Sequence, residues 1–183
     1  NPSTGRMGLA MARTAWYRGA EVKLVLGPVE ETGTLHGLEV RRVVSALEMY
    51  DAVMEESDWA SCVVKAAAVG DYRARDRSPR KIKREGRETV SIELEQNPDI
   101  AAEVGRRKRP GQVLIGFAAE TDDLLENARA KMERKGLDLI VANDVLAPGC
   151  GFGADTNTVR VLSRDEETVL SGSKEEVADG VWD

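Results

Sequence analysis

Apolar positions along the chain fall into two rhythms. Short runs rich in β-branched residues alternate with longer stretches whose apolar residues recur every three or four places, the pattern of βαβ units around a parallel sheet. The spacing predicts a helix over 6–18 stopped by Gly19, a strand over 21–26 closed by Gly27-Pro28, and a strand over 39–44. Ser45 with Glu48 three places on forms a capping-box pattern, and Leu47, Tyr50, Val53 and Met54 give the following helix one apolar face that ends near Ser57. Residues 62–68, Cys-Val-Val-Lys-Ala-Ala-Ala, suit a short buried central strand. Asn97-Pro98 reads as N-cap and first residue of a helix that runs to about Lys108. A strand over 112–117 follows, then a helix from Asp122 through Lys135 with Leu124, Leu125, Ala128 and Met132 inward and Gly136 as its stop, then a strand over 137–142. The last third changes character: a glycine-rich loop over 149–153, an antiparallel hairpin from 158–162 and 168–170, and a final helix capped by Ser173 with Glu176. The fold class is α/β, with a mainly parallel sheet and a C-terminal antiparallel hairpin.

One segment interrupts the alternation. Between Gly70 and Arg87 there are eight lysines and arginines against three acids, a local excess of five positive charges in a chain whose net charge is -6. Val90, Ile92 and Leu94 then alternate with Ser91 and Glu93, so residues 70–94 are expected to fold back through Glu85-Gly86-Arg87 as a basic hairpin arm.

Composition narrows the function. At 183 residues the chain is expected to be one domain with its own core. The net charge of -6 has the wrong sign for a protein that coats nucleic acid, so a polyanion must be met locally. One histidine, His36, and two cysteines, Cys62 and Cys150, assemble neither a zinc set nor a disulfide framework. No apolar run reaches a membrane span and no leader pattern opens the chain, which fits a cytoplasmic setting without nucleic-acid or membrane partners. The opening residues look like the loop that follows a first strand, and the single domain is expected to begin inside its fold.

In an open α/β sheet the ligand lies beyond the carboxyl ends of the strands, which singles out 1–8, 66–71, 118–122 and 143–144. Neither a G-x-G-x-x-G fingerprint nor a Walker A loop occurs. Ser3-Thr4-Gly5 with Gly8 suits either an anion at a helix N-terminus or a plain Ser/Thr cap. Lys81-Ile-Lys83-Arg84 offers two ammonium groups on one side of an extended arm to a triphosphate, or protects a solvated edge. Lys131 and Lys135 share a helix face and reach one phosphate group, or decorate a charged surface with Glu126, Arg129, Glu133 and Arg134. Asp71 holds a metal ion or ribose, or simply forms a turn. Cys62 reads as a small buried hydrophobe and Cys150 as exposed, while His36 is given no role.

Seven strings in register resemble the phosphopantothenoylcysteine synthetase family: Asn1-Pro-Ser-Thr-Gly-Arg-Met-Gly8, Ala66-Ala-Ala-Val-Gly-Asp-Tyr72, Lys81-Ile-Lys83, Asn97-Pro-Asp-Ile100, Gly116-Phe-Ala-Ala-Glu-Thr121, Lys131 with Lys135, and Ala142-Asn-Asp-Val145. Arg6 and Gly70 are the small departures, where Lys and Ala or Ser are commoner in that family. The resemblance implies a Rossmann-like three-layer domain that forms a homodimer and uses CTP to join phosphopantothenate to cysteine. It places CTP on Lys65, Ala66, Ala67, Asp71, Lys81, Asn97, Pro98, Asp99, Phe117, Lys131 and Lys135. Asn1 and Lys81 would be catalytic, with Asn1, Ser3, Thr4 and Gly5 on phosphopantothenate or the acyl-cytidylate. Mg2+ or Mn2+ would accompany CTP, with Asp71 as its protein ligand, and a flavin-dependent decarboxylase domain can be fused upstream. The rival readings are a dinucleotide-binding oxidoreductase, which lacks its fingerprint here, and a nucleotide-binding module without catalysis.

Overall fold

The computed structural model describes residues 3–29, 33–76, 78, 80–83, 89–120, 124–144 and 156–183. In chain order the elements are α1 (Arg6–Tyr17), β1 (Lys23–Leu26), β2 (Glu39–Arg42), α2 (Ala46–Ser57), β3 (Cys62–Lys65), β4 (Tyr72–Ala74), β5 (Leu94–Gln96), α3 (Ile100–Arg107), β6 (Val113–Glu120), α4 (Leu124–Lys135), β7 (Leu139–Asp144), β8 (Thr156–Leu162), β9 (Glu167–Ser173) and α5 (Lys174–Val181). Five strands form the main sheet in the order β3-β6-β7-β8-β9, parallel from β3 to β7 and antiparallel beyond.

The central strands read as continuous apolar runs because both of their faces are covered. Leu114, Ile140, Ala142 and Leu162 pack with Ile100, Ala101 and Val104 of α3 and Ala128 and Met132 of α4. On the other face Ile115, Val141 and Val159 meet Ala10 and Met11 of α1 and Val177, Ala178 and Val181 of α5. Adjacent residues of one strand thus belong to opposite layers, as the two-residue strand period requires. The three-layer α/β expectation is met.

The sheet is not one surface, however. β1 and β2 pair in parallel as a separate two-stranded sheet, and β4 with β5 makes a third, antiparallel one. Between β1 and β3 runs an apolar cleft of about 1100 Å3.

Several local expectations need correcting. The Ser45 cap holds, with its side chain accepting from the Glu48 N–H, and Ser173 with Glu176 closes a full capping box. By contrast Asn97 does not cap α3: Asp99 does, its Oδ1 accepting from Ala102 N at 3.1 Å, so the helix starts at Ile100. Neither Ser3 nor Thr4 caps α1, whose N-cap is Gly5 at φ 69°, a left-handed conformation, and a Cβ there would press into Val29 at 2.9 Å. The strand expected over 62–68 ends at Lys65. Leu125 and Leu47, expected inward, are exposed, because the faces that pack are set by Ala128 with Met132 and by Tyr50, Val53 and Met54. Cys62 is half-buried, and burial with the charge of Asp138 pushes its thiol up to about 11, leaving it inert at neutral pH. The expected start of α4 at Asp122 and the loop over 149–153 with Cys150 lie outside the described residues.

Gly105 is the tightest helix contact. A Cβ on it would collide with the carbonyl oxygen of Lys135 and lie 3.0 Å from its carbonyl carbon, so α3 and the end of α4 touch backbone to backbone. Gly105→Ala is expected to lower stability by about 1–3 kcal/mol through overpacking. The loss should show as a lower midpoint in urea, with an unchanged midpoint contradicting the contact.

Candidate functional site

Three lysines converge beside the carboxyl end of β3, where Lys65 pairs in register with Gly116 of β6. Lys65 is the last residue of β3 and is half-buried. Burial pulls its ammonium below the ordinary lysine value, and repulsion from Lys135 and Lys131 pulls it further, against Asp99 and Asp71. Three cations that feel one another across a partly desolvated space make this a candidate anion site.

α4 supplies the other two from one face. Lys131 Nζ donates to the Phe117 carbonyl at 3.4 Å. Lys135 Nζ lies 3.0 Å from Asp99 Oδ2, and its side chain is only 16% exposed. Lys131 is thus directed at β6 and Lys135 at the N-cap of α3, while Glu126, Arg129, Glu133 and Arg134 on the same helix are exposed. Burial acts to raise the Asp99 carboxyl, but the Lys135 hydrogen bond, the Ala102 N–H and the charges of Lys135 and Lys65 hold it below the usual carboxylate range. Asp99 therefore stabilises the fold at neutral pH, a contribution lost only as pH falls below about 4 through its depressed value.

The wall beside the lysines is tied down by Asn97, which is buried. Its backbone N–H donates to the Asp71 carbonyl at 2.7 Å and its Nδ2 to the Gly70 carbonyl at 2.8 Å. Its Oδ1 accepts from Arg73 Nη1 at 3.1 Å, and the same guanidinium nitrogen reaches the Gln96 carbonyl at 2.8 Å. With both ends of the amide engaged, Asn97 fixes the loop carrying Asp71. Arg73 is a part of the site that sequence reasoning missed. Its signal was a hairpin register joining residues 24 apart, which periodicity does not specify.

The structure brings together Lys65, Ala66, Asp71, Asn97, Pro98, Asp99, Phe117, Lys131 and Lys135 around the strand ends, with Ala67 exposed just beyond β3. Ser3 and Thr4 are exposed at the start of α1, whose Gly8 lies 3.5 Å from the Ala66 methyl when given a Cβ. Lys81 is exposed beyond β4 and takes no part in the hydrogen bonds that join the cluster. Asn1 lies outside the described residues. Of the expected arm, β4 and β5 pair antiparallel, with one further bond from Arg75 N to the Glu93 carbonyl, while the expected turn at Glu85-Gly86-Arg87 lies outside the described residues. Part of its positive excess is answered across that ladder, by Arg73 with Glu95 and Arg75 with Glu93, each at 2.6 Å. No group of three carboxylates, histidines or cysteines able to hold a metal occurs among the described residues.

The pH dependence of this site follows from Lys65. A bound polyphosphate favours its ammonium form, so binding above the depressed value takes up a proton, and affinity should fall as pH rises from neutral into the ordinary lysine range. Calorimetric titration of CTP across that range checks this. Lys65→Arg, which keeps its charge, should flatten the dependence, and a flat profile in the unaltered protein would contradict the assignment.

The fold defines a Rossmann-like α/β domain with a cluster of three lysines beside the carboxyl end of β3. The chain belongs to the family described as DNA/pantothenate metabolism flavoprotein, C-terminal domain, whose pattern matches residues 1–183. It is 45% identical over 164 residues to a protein named cysteine/cysteine sulfinic acid decarboxylase from an unknown prokaryotic organism, covering 90% of this chain and 45% of that one. It is 44% identical over 165 residues to the coenzyme A biosynthesis bifunctional protein CoaBC of Bacillus subtilis, covering 90% and 40%. The solved structure of the C-terminal domain of a CoaBC protein superposes with a TM-score of 0.80 at 36% identity, covering all of this chain and 81% of that one. The chain thus spans about half the length of the curated relatives it matches. No helix among the described residues is long and apolar enough to cross a membrane.

Proposed function

We propose that this domain is a CTP-dependent ligase that joins phosphopantothenate to cysteine in coenzyme A biosynthesis. The observation that carries the reading is the convergence of Lys65, Lys131 and Lys135 at the ends of β3 and β6. The family and its bifunctional CoaBC relatives supply the substrate class.

In this reading the phosphopantothenate carboxylate attacks the α-phosphorus of CTP, forming an acyl-cytidylate and releasing pyrophosphate. The cysteine amine then attacks the acyl carbon, an amide forms, and CMP leaves. Carboxylate and triphosphate repel each other, so the chemistry needs cations where charge develops rather than a nucleophilic side chain. Lys131 and Lys135 would hold the phosphates, Lys65 would be restored to full charge by them, and Lys81 would meet the leaving pyrophosphate from the arm. Ala66, Ala67 and the Asn97-Pro98-Asp99 turn would read the cytosine edge with backbone groups beside Phe117. Asn1, with Ser3, Thr4 and Gly5 at the uncapped start of α1, would hold phosphopantothenate and the acyl centre. Mg2+ or Mn2+ brought in by the triphosphate fits Asp71 as a single carboxylate ligand beside phosphate oxygens, and it would neutralise phosphate charge there.

The homodimer belongs to the same proposal. Tyr72, Ile82, Val90, Ile92 and Leu94, each more than half exposed, place an apolar strip on the arm. Such a strip suits an interface between two copies of the chain. A decarboxylase domain in the same polypeptide is consistent with the bifunctional relatives.

Base selectivity tests the reading. A site built on backbone hydrogen bonds rejects a base that leaves them unpaired, so CTP is expected to bind at least about a hundred-fold more tightly than ATP. Calorimetry with magnesium present measures this. Equal affinities would favour a general phosphate site over the ligase.

A further inference from the structure

A carboxylate stands among the three lysines. Asp99 Oδ2 lies 3.0 Å from Lys135 Nζ, and Oδ1 accepts from the same ammonium at 3.2 Å, so both oxygens are turned on one cation. Oδ1 also accepts from the Ala102 N–H at 3.1 Å, the bond that caps α3. The partners are unequally enclosed: the Lys135 side chain is 16% exposed and that of Asp99 46%. The lysine is the sheltered member of the pair and the carboxylate the one nearer solvent.

Asp99 thus has two jobs that can be separated. As the cap of α3 it needs only an acceptor oxygen, which asparagine supplies equally well. As an anion it answers Lys135 and, with it, Lys65, whose charge also lowers the Asp99 carboxyl. The cap does not need the negative charge, whereas the lysines feel it. A phosphate oxygen that reaches Lys135 meets an ammonium already engaged, with a like charge beside it, and like charges that share one cation repel.

We propose that the Asp99 side chain is a built-in competitor of the triphosphate: it holds Lys135 before CTP binds, yields that ammonium to a phosphate group, and takes it back as pyrophosphate leaves. Asp99 is then a positioning residue that acts through Lys135. Its charge weakens phosphate binding and speeds release, the opposite sign from a side chain that binds the nucleotide. The inference rests on the reading of the lysine cluster as the triphosphate site.

Asp99→Asn, which keeps the cap and removes the charge, tests this by calorimetry with inorganic tripolyphosphate and with CTP, each with and without magnesium. Both ligands are expected to bind about ten-fold more tightly to the variant, the effect of lifting one like charge from the site. In a Lys135→Gln background the same change should alter affinity by less than about two-fold, because the competition runs through that ammonium. In turnover, KM for CTP and kcat should fall together as pyrophosphate departs more slowly, whereas a distorted site would raise KM. Unchanged or weaker tripolyphosphate binding, or equal tightening in the Lys135→Gln background, would overturn the proposal. So would a weakening confined to CTP with magnesium, which would make Asp99 a ligand of the accompanying cation. Failure of the ligase reading shows separately, as tripolyphosphate bound more tightly by the Asp99→Asn variant while CTP yields no pyrophosphate in either form.

Discussion

Replacing Lys131 and Lys135 together with glutamine is expected to weaken CTP binding by about two to four orders of magnitude, with little change in thermal stability. Each ammonium would make charge-assisted hydrogen bonds to phosphate, worth about 1.5–3 kcal/mol apiece, and the two act on one ligand. In the free protein Lys135 is paired with Asp99 and Lys131 with the Phe117 carbonyl. Those partners stay satisfied in part by the glutamine amides and by the Ala102 N–H that already bonds Asp99. Affinity should thus fall far more than stability. The salt dependence should fall with it, since two fewer cations meet the polyanion. Unchanged affinity and salt slope would return the pair to the role of surface decoration.

Lys81 and Asn1 should fail at different steps of the proposed reaction. Lys81→Gln is expected to abolish pyrophosphate release, because an ammonium from the arm answers the charge that grows on the departing pyrophosphate. Asn1 carries no charge to offer a triphosphate, but its amide both donates and accepts, which suits the neutral acyl centre under attack by the cysteine amine. Asn1→Asp should therefore release pyrophosphate at a near-normal rate while forming product about a hundred- to a thousand-fold more slowly, the usual loss for one transition-state donor. Single-turnover assays that follow labelled CTP into cytidylate and CMP separate the two. A Lys81→Gln variant that forms cytidylate at the normal rate, or an Asn1→Asp variant that accumulates none, contradicts this division.

What was legible in the sequence was what neighbouring residues decide between themselves. Ser45 with Glu48 and Ser173 with Glu176 announce helix starts because cap and partner are three residues apart. The apolar runs of β6 and β7 announce central strands because both faces are buried. Asn97 and Asp99 were both able to cap α3, and the choice was made by Gly70 and Arg73, which occupy the Asn97 amide from more than twenty residues away. The basic arm was legible as charge but not as pairing, because Glu93 and Glu95 answer Arg75 and Arg73 only in the folded hairpin. Lys131 and Lys135 were ambiguous because their neighbours Glu133 and Arg134 are exposed, and only the folded contacts to Phe117 and Asp99 tell the half-buried pair from the rest. Gly105 gave no signal, since a glycine at a backbone contact looks like any other glycine inside a helix.

In the proposed reaction the three-lysine cluster binds CTP in order to activate a carboxylate. The most direct measurement is pyrophosphate release from CTP in the unaltered protein, with magnesium, as phosphopantothenate and then cysteine are supplied. Release is expected only when phosphopantothenate is present, CMP only when cysteine follows, and loss of both in the Lys131→Gln, Lys135→Gln double variant. Bound CTP with no pyrophosphate under any of these conditions, or pyrophosphate formed without phosphopantothenate, would contradict it.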